Sequence, residues 1–323
     1  MEPADYNSRE IGFFGQFGIF IALIGAGLAV GSILSVVIWI GMTGRSLGTM
    51  AEDMFKPQYY YEAITVQAVS TLFYFFIPTV IFAAICYRRP GRFLGFSRRA
   101  TAVQVGIVLV ILLLTFPLSA ALSELNQVIP LPAHLATKFK GWETSRAAEE
   151  GALININSFS KYIFSMILIG LLPGLFEETV FRAGLQNILT RWFRGPVLAI
   201  VLSSILFSLV HLSYYGFLVR FALGVILGLI FYLSGNLWLS VLFHFLYNGL
   251  QVTALYISQQ YPQAMKDQSS IESRFPVWAG VVALVVIIFL LAQFRKASRQ
   301  QLAVAGESGT GTGFETNNRT LSS

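Results

Sequence analysis

The chain has 323 residues, of which 55% are hydrophobic and 12% charged, about half the ~25% charged share of a soluble domain. That composition excludes an ordinary soluble protein and predicts an all-α, polytopic membrane helix bundle. The net charge of +6 does not point to nucleic acid, because the excess Lys and Arg lie beside apolar runs, where they set membrane orientation.

About eight apolar runs are long enough to cross a ~30 Å hydrocarbon core at 1.5 Å per residue, and none alternates with the period of a β-strand. The first runs roughly over residues 12–41, where Gly25, Gly27 and Gly31 predict close helix contact. The second covers roughly 63–87, with Pro78 as a candidate kink, and the third 103–122. A polar insertion follows at 123–158, read as an extramembrane excursion with one surface helix. Spans four to seven fall at roughly 159–189, 196–214, 217–234 and 237–257. A loop and a last span fill 258–294, and the Gly-, Ser- and Thr-rich tail at 295–323 reads as disordered.

The chain therefore divides into a three-span region (1–122), the insertion (123–158), a helical core (159–257), the loop and last span (258–294), and the tail (295–323). With eight spans, three basic clusters share one side: Arg88 to Arg99, Arg191 with Arg194, and Arg295 with Lys296 and Arg299. That predicts both termini in the cytoplasm. The start, with Glu2, Pro3 and Asp5, lacks the positive region of a cleaved signal peptide. Cys86 stands alone within an apolar span, so no intrachain disulfide is expected. The short form without organelle targeting reads as an integral protein of a bacterial cytoplasmic membrane.

Three polar patterns interrupt the helical core. Ionisable groups cost about 2.5–3.5 kcal/mol each at mid-helix, so they usually mark function. In Glu177-Glu178-x-x-x-Arg182, the adjacent acids point about 100° apart and serve different tasks. Glu178 and Arg182, four apart and acid first, form an ion pair, leaving Glu177 to face the bundle. In Phe207-x-x-x-His211, the ring packs beside the imidazole and restricts it. In His244-x-x-x-Asn248, the imidazole and amide share one face. At 1.5 Å per residue, Glu177, His211 and Asn248 lie about 17–22 Å from the cytoplasmic ends of their helices, and His244 about 11–15 Å. They can converge near mid-bilayer.

This order of motifs, each in its own helix, resembles the CPBP (CAAX protease and bacteriocin-processing) intramembrane proteases, whose eukaryotic members include the type II CAAX prenyl endopeptidase. The resemblance covers roughly residues 159–257. It implies that Glu177 is the general base, that His211 helps to activate the water, and that His244 and Asn248 stabilise the oxyanion. Glu178, Arg182 and Phe207 would support them. Glu177, His211 and His244 are also a set that could bind zinc, and the family is traditionally called metalloprotease. There is no His-Glu-x-x-His, however, and the histidines come from different helices, which favours a mechanism without a cofactor.

The expected activity is cleavage of a peptide bond in a membrane-associated or lipidated protein or peptide, with the bilayer as the other partner. Two alternatives stand beside it. One is a non-catalytic scaffold or immunity-type protein. The other is a proton-coupled transporter, which would favour related halves; none is evident in the sequence.

Overall fold

The computed structural model describes residue 9 and residues 11–153, 156–261 and 275–309. The described residues form helices and no strand. They are α1 (Phe13–Thr43), α2 (Leu47–Asp53), α3 (Pro57–Cys86), α4 (Pro90–Phe93), α5 (Ala102–Val128), α6 (Ala133–Leu153), α7 (Phe159–Trp192), α8 (Pro196–Leu209), α9 (Phe217–Ser234), α10 (Leu237–Gln260) and α11 (Val277–Gly309). Eight of them match the apolar runs read from the sequence.

Six of those eight, α1, α3, α5, α7, α9 and α11, are long and apolar enough to cross a membrane. The other two are α8 and α10. Helix α8 has 14 residues, or about 21 Å of rise, less than a bilayer core. Helix α10 is long but carries His244, Asn248 and Gln251 on an otherwise apolar run. The two helices that depart from ordinary spans are thus the one that leads into His211, two residues past its end, and the one that carries His244.

One end of the bundle is tied together by hydrogen bonds. The backbone N–H of Arg9 donates to Cys86 O, Asn187 Nδ2 donates to Phe93 O, and Leu237 N donates to Gly95 O. Asn236 Nδ2 reaches Arg98 O, and Gln301 Nε2 reaches Arg99 O. The start of α1, the α3–α5 connection, the end of α7, the α9–α10 turn and the far part of α11 therefore meet at one end. All three basic clusters lie there. At the opposite end, α6 rests on the α8–α9 turn, with Phe139 stacked 5.2 Å from Tyr214 and Ser213 Oγ donating to Glu143 at 3.0 Å.

Two apolar clusters pack the bundle. One joins α5, α9, α10 and α11 through Ile111, Ile230, Phe243 and Phe294. The other joins α1, α3, α7 and α8 through Phe20, Phe82, Phe181 and Phe207. Glycines set the closest approaches. A Cβ on Gly27 would fall 2.2 Å from Phe73 O, and one on Gly31 2.7 Å from the Tyr74 ring. Gly25, expected to join them, has nothing within 4 Å; it lies off the contact stripe. A π-helical turn at Leu72–Phe76 directly precedes Pro78, absorbing the donor that proline lacks.

Two expected boundaries move. Span five ends at Leu209 rather than at residue 214, because Leu212 takes a left-handed φ of 50°. The insertion forms one helix, as expected, but its Glu149 and Glu150 side chains lie outside the described residues. The last helix runs to Gly309, so residues 295–309 are helical where a disordered tail was expected. Ala297, Gln300, Gln301, Leu302 and Ala303 are good helix formers that outweigh the nearby serines and glycines; residues 310–323 lie outside the described part.

Candidate active site

Helix α7 supplies both acids. It is continuous from Phe159 to Trp192, but two π-helical stretches, Met166–Leu171 and Thr179–Gln186, flank the segment Leu172–Glu178. Such widened turns recur at functional sites. Pro173 gives the first a cause, since it has no N–H to donate to the Ile169 carbonyl one turn back. Gly174 then lets α10 come close: a Cβ there would sit 3.2 Å from Phe245 N and 3.5 Å from His244 Cβ. This approach brings His244 against the acids.

Glu178 is fully buried, and so is Arg182. Arg182 Nε donates to Glu178 Oε2 at 3.0 Å, as the four-residue spacing predicts. The rest of the guanidinium faces an aromatic surface: its carbon lies 5.0 Å from the Phe207 ring centre, while Nη1 and Nη2 have no hydrogen-bond acceptor among the described residues. A desolvated cation–π contact of this kind is worth about 2 kcal/mol.

The other Glu178 oxygen meets His244. The ionised carboxylate can only accept, so His244 Nδ1 donates to Glu178 Oε1 at 3.0 Å. On the far side of the ring, Nε2 lies 3.9 Å from Glu177 Oε2. The adjacent acids, expected to serve separate tasks, thus meet on opposite nitrogens of one imidazole. Glu177 is 14% exposed at its side chain, and its Oε2 is buried with no hydrogen-bond donor among the described residues.

His211 sits just past the end of α8. The last turn tightens, so its backbone N–H donates to Ser208 O at 3.3 Å, three residues back. That leaves the Phe207 carbonyl, its α-helical partner, without a backbone donor among the described residues. His211 supplies one from its side chain, with Nδ1 2.7 Å from Phe207 O. A carbonyl oxygen cannot donate, so Nδ1 carries the proton and Nε2 is the acceptor. The Phe207 ring lies 5.1 Å from the His211 ring and 6.0 Å from that of His244. Glu177, His244 and Arg220 all act electrostatically on the His211 imidazole. One aromatic ring therefore organises both histidines and Arg182.

Asn248 stands one turn beyond His244 on α10. Its Nδ2 lies 3.4 Å from Ile169 O, the carbonyl that Pro173 cannot serve. The structure gathers Glu177, Glu178, Arg182, Phe207, His211 and His244, and it directs the Asn248 amide towards the α7 backbone beside them. No group of three His, Cys, Asp or Glu side chains among the described residues is close enough to hold a metal ion. Glu177, His211 and His244, the set that could bind zinc, do not form such a group.

Sequence reasoning missed the positioning parts. Pro173 and Gly174 shape α7 and admit α10, and the Pro-Gly pair three residues before Glu177 was the available signal. The Glu178–His244 bond carries no local signature, because it joins residues 66 apart.

Residues 159–250 match the Rce1-like family, described as type II CAAX prenyl endopeptidase Rce1-like. The match covers α7, α8, α9 and the part of α10 that carries His244 and Asn248. No curated protein and no solved structure matches the chain.

Proposed function

We propose that this Rce1-like region is an intramembrane endopeptidase that hydrolyses a peptide bond in a membrane-associated or lipidated protein or peptide. The carrying observation is Glu177 Oε2: buried, without a hydrogen-bond donor among the described residues, and 3.9 Å from His244 Nε2. A carboxylate kept in that condition is placed to accept a proton from water. The Rce1-like match over the same helices supports this reading.

Glu177 takes the proton of the attacking water as its oxygen bonds to the substrate carbonyl carbon. His211, with its proton fixed on Nδ1, offers the Nε2 lone pair to orient that water. The charge that develops on the carbonyl oxygen is met by His244 and by the Asn248 amide. Collapse breaks the C–N bond, and Glu177 returns its proton to the leaving amine. Phe207 keeps both rings in place, and the surrounding apolar helices strengthen each polar contact.

Terminus-resolved proteomics of membrane fractions tests the reading and finds the substrate. Cells carrying the wild-type protein should show new protein termini that are absent with Glu177→Gln. Identical termini in the two strains would contradict a peptidase.

A further inference from the structure

We propose that Glu178 is a positioning residue for this hydrolysis: it turns and charges His244 so that Nε2 can donate to the oxyanion. The inference rests on the peptidase reading above. His244 Nδ1 is committed to Glu178 Oε1 at 3.0 Å, so any donation to substrate must come from Nε2. A neutral ring with its proton on Nδ1 presents a lone pair at Nε2, which repels an oxyanion. The donor must therefore be the imidazolium.

The surroundings suit that cation. Glu178 lies on Nδ1, Glu177 faces Nε2, and Arg182 holds the second Glu178 oxygen at 3.0 Å. Phe207 covers the ring edge-on. Two carboxylates, one guanidinium and one imidazolium sum to zero, whereas a neutral His244 would leave a buried net charge of −1, which is costly. Arg220 acts from α9 on His211 and stands outside this set of four.

The reaction keeps the arrangement balanced. When Glu177 accepts the water proton it loses its charge, and the carbonyl π pair moves to oxygen at the same moment. The negative charge beside Nε2 passes from Glu177 to the oxyanion. His244 keeps one anion on each side throughout. Arg182, by pairing with Glu178, keeps that carboxylate from taking the imidazolium proton.

The test combines kinetics with ¹⁵N spectroscopy of histidine-labelled protein, the His244 signals being assigned by their loss in His244→Asn. In the wild-type protein both His244 nitrogens should be protonated, and in Glu178→Gln only one. The kcat of Glu178→Gln should fall about 10²-fold with KM nearly unchanged, as expected for an interaction made in the transition state. A wild-type His244 with one protonated nitrogen would overturn the inference. So would a Glu178→Gln protein that is less stable but turns over normally per folded molecule. If Glu178→Gln does not fold, the wild-type spectrum decides alone. A wild-type protein that cleaves no peptide but shows a doubly protonated His244 would instead sink the peptidase reading and leave the Glu178–His244 pair standing.

Discussion

Glu177 and Glu178 are neighbours in sequence with opposite circumstances: one buried oxygen of Glu177 has no donor among the described residues, while Glu178 is held by Arg182 and His244. Their substitutions should therefore separate. Changing Glu178→Gln or Arg182→Met singly leaves a buried partner without its opposite charge, which costs about 3–5 kcal/mol. The double variant should be milder than the sum of the two, by at least about 0.5 kcal/mol of coupling in thermal unfolding. Strict additivity would mean the two side chains do not interact. Asn248→Ala should depress turnover about 10²–10³-fold if its amide serves the oxyanion. An unchanged rate would leave Asn248 as a brace for the Ile169 carbonyl alone. At this scale the sequence was informative: the spacings announced the Glu178–Arg182 pair and the Phe207–His211 ring contact. They could not announce that His244 would join the pair, because that depends on how closely two distant helices approach.

That approach belongs to the elements. Helix α7 widens at Met166–Leu171, admits α10 at Gly174 and widens again from Thr179. Gly174→Val would put branched carbons where one Cβ already lies 3.2 Å from Phe245 N. It should push α10 away and lower the cleavage rate about 10²-fold, the scale of a displacement near 1 Å. Gly25→Val, on α1 with nothing within 4 Å, is the matched control and should cut normally. Equal rates for the two variants would show that the α7–α10 contact does not position His244. Apolar runs revealed where these helices lie, but not their π-helical turns or the early end of α8. The first of those turns and the early end of α8 depend on individual carbonyls losing donors, at Pro173 and before the left-handed Leu212. The continuation of α11 through Gly309 was hidden for another reason: the serines and glycines of the tail outweighed, in a reading by composition, the helix formers between them.

For the whole molecule, hydropathy was sufficient to read a helical membrane bundle, and charge placed three basic clusters on one side. The hydrogen-bond ties at that end bear out the grouping, and its cytoplasmic placement is open to test. In a Cys86→Ser background, a cysteine at exposed Arg99 should be labelled only from the cytoplasmic side, and one at exposed Lys140 only from the other. The reverse pattern would invert the orientation. Metal content is a second global property. Protein stripped by a chelator should retain full activity with no stoichiometric zinc by elemental analysis. Activity lost with zinc and restored by its return would contradict the metal-free mechanism. The most direct measurement is peptide-bond cleavage by purified protein in liposomes, using a membrane-anchored peptide identified from the terminus comparison and mass spectrometry of the products. The wild-type protein should cut one bond, and correctly folded Glu177→Gln should cut it about 10²–10⁴-fold more slowly. Equal rates for the two proteins would contradict the account at its centre.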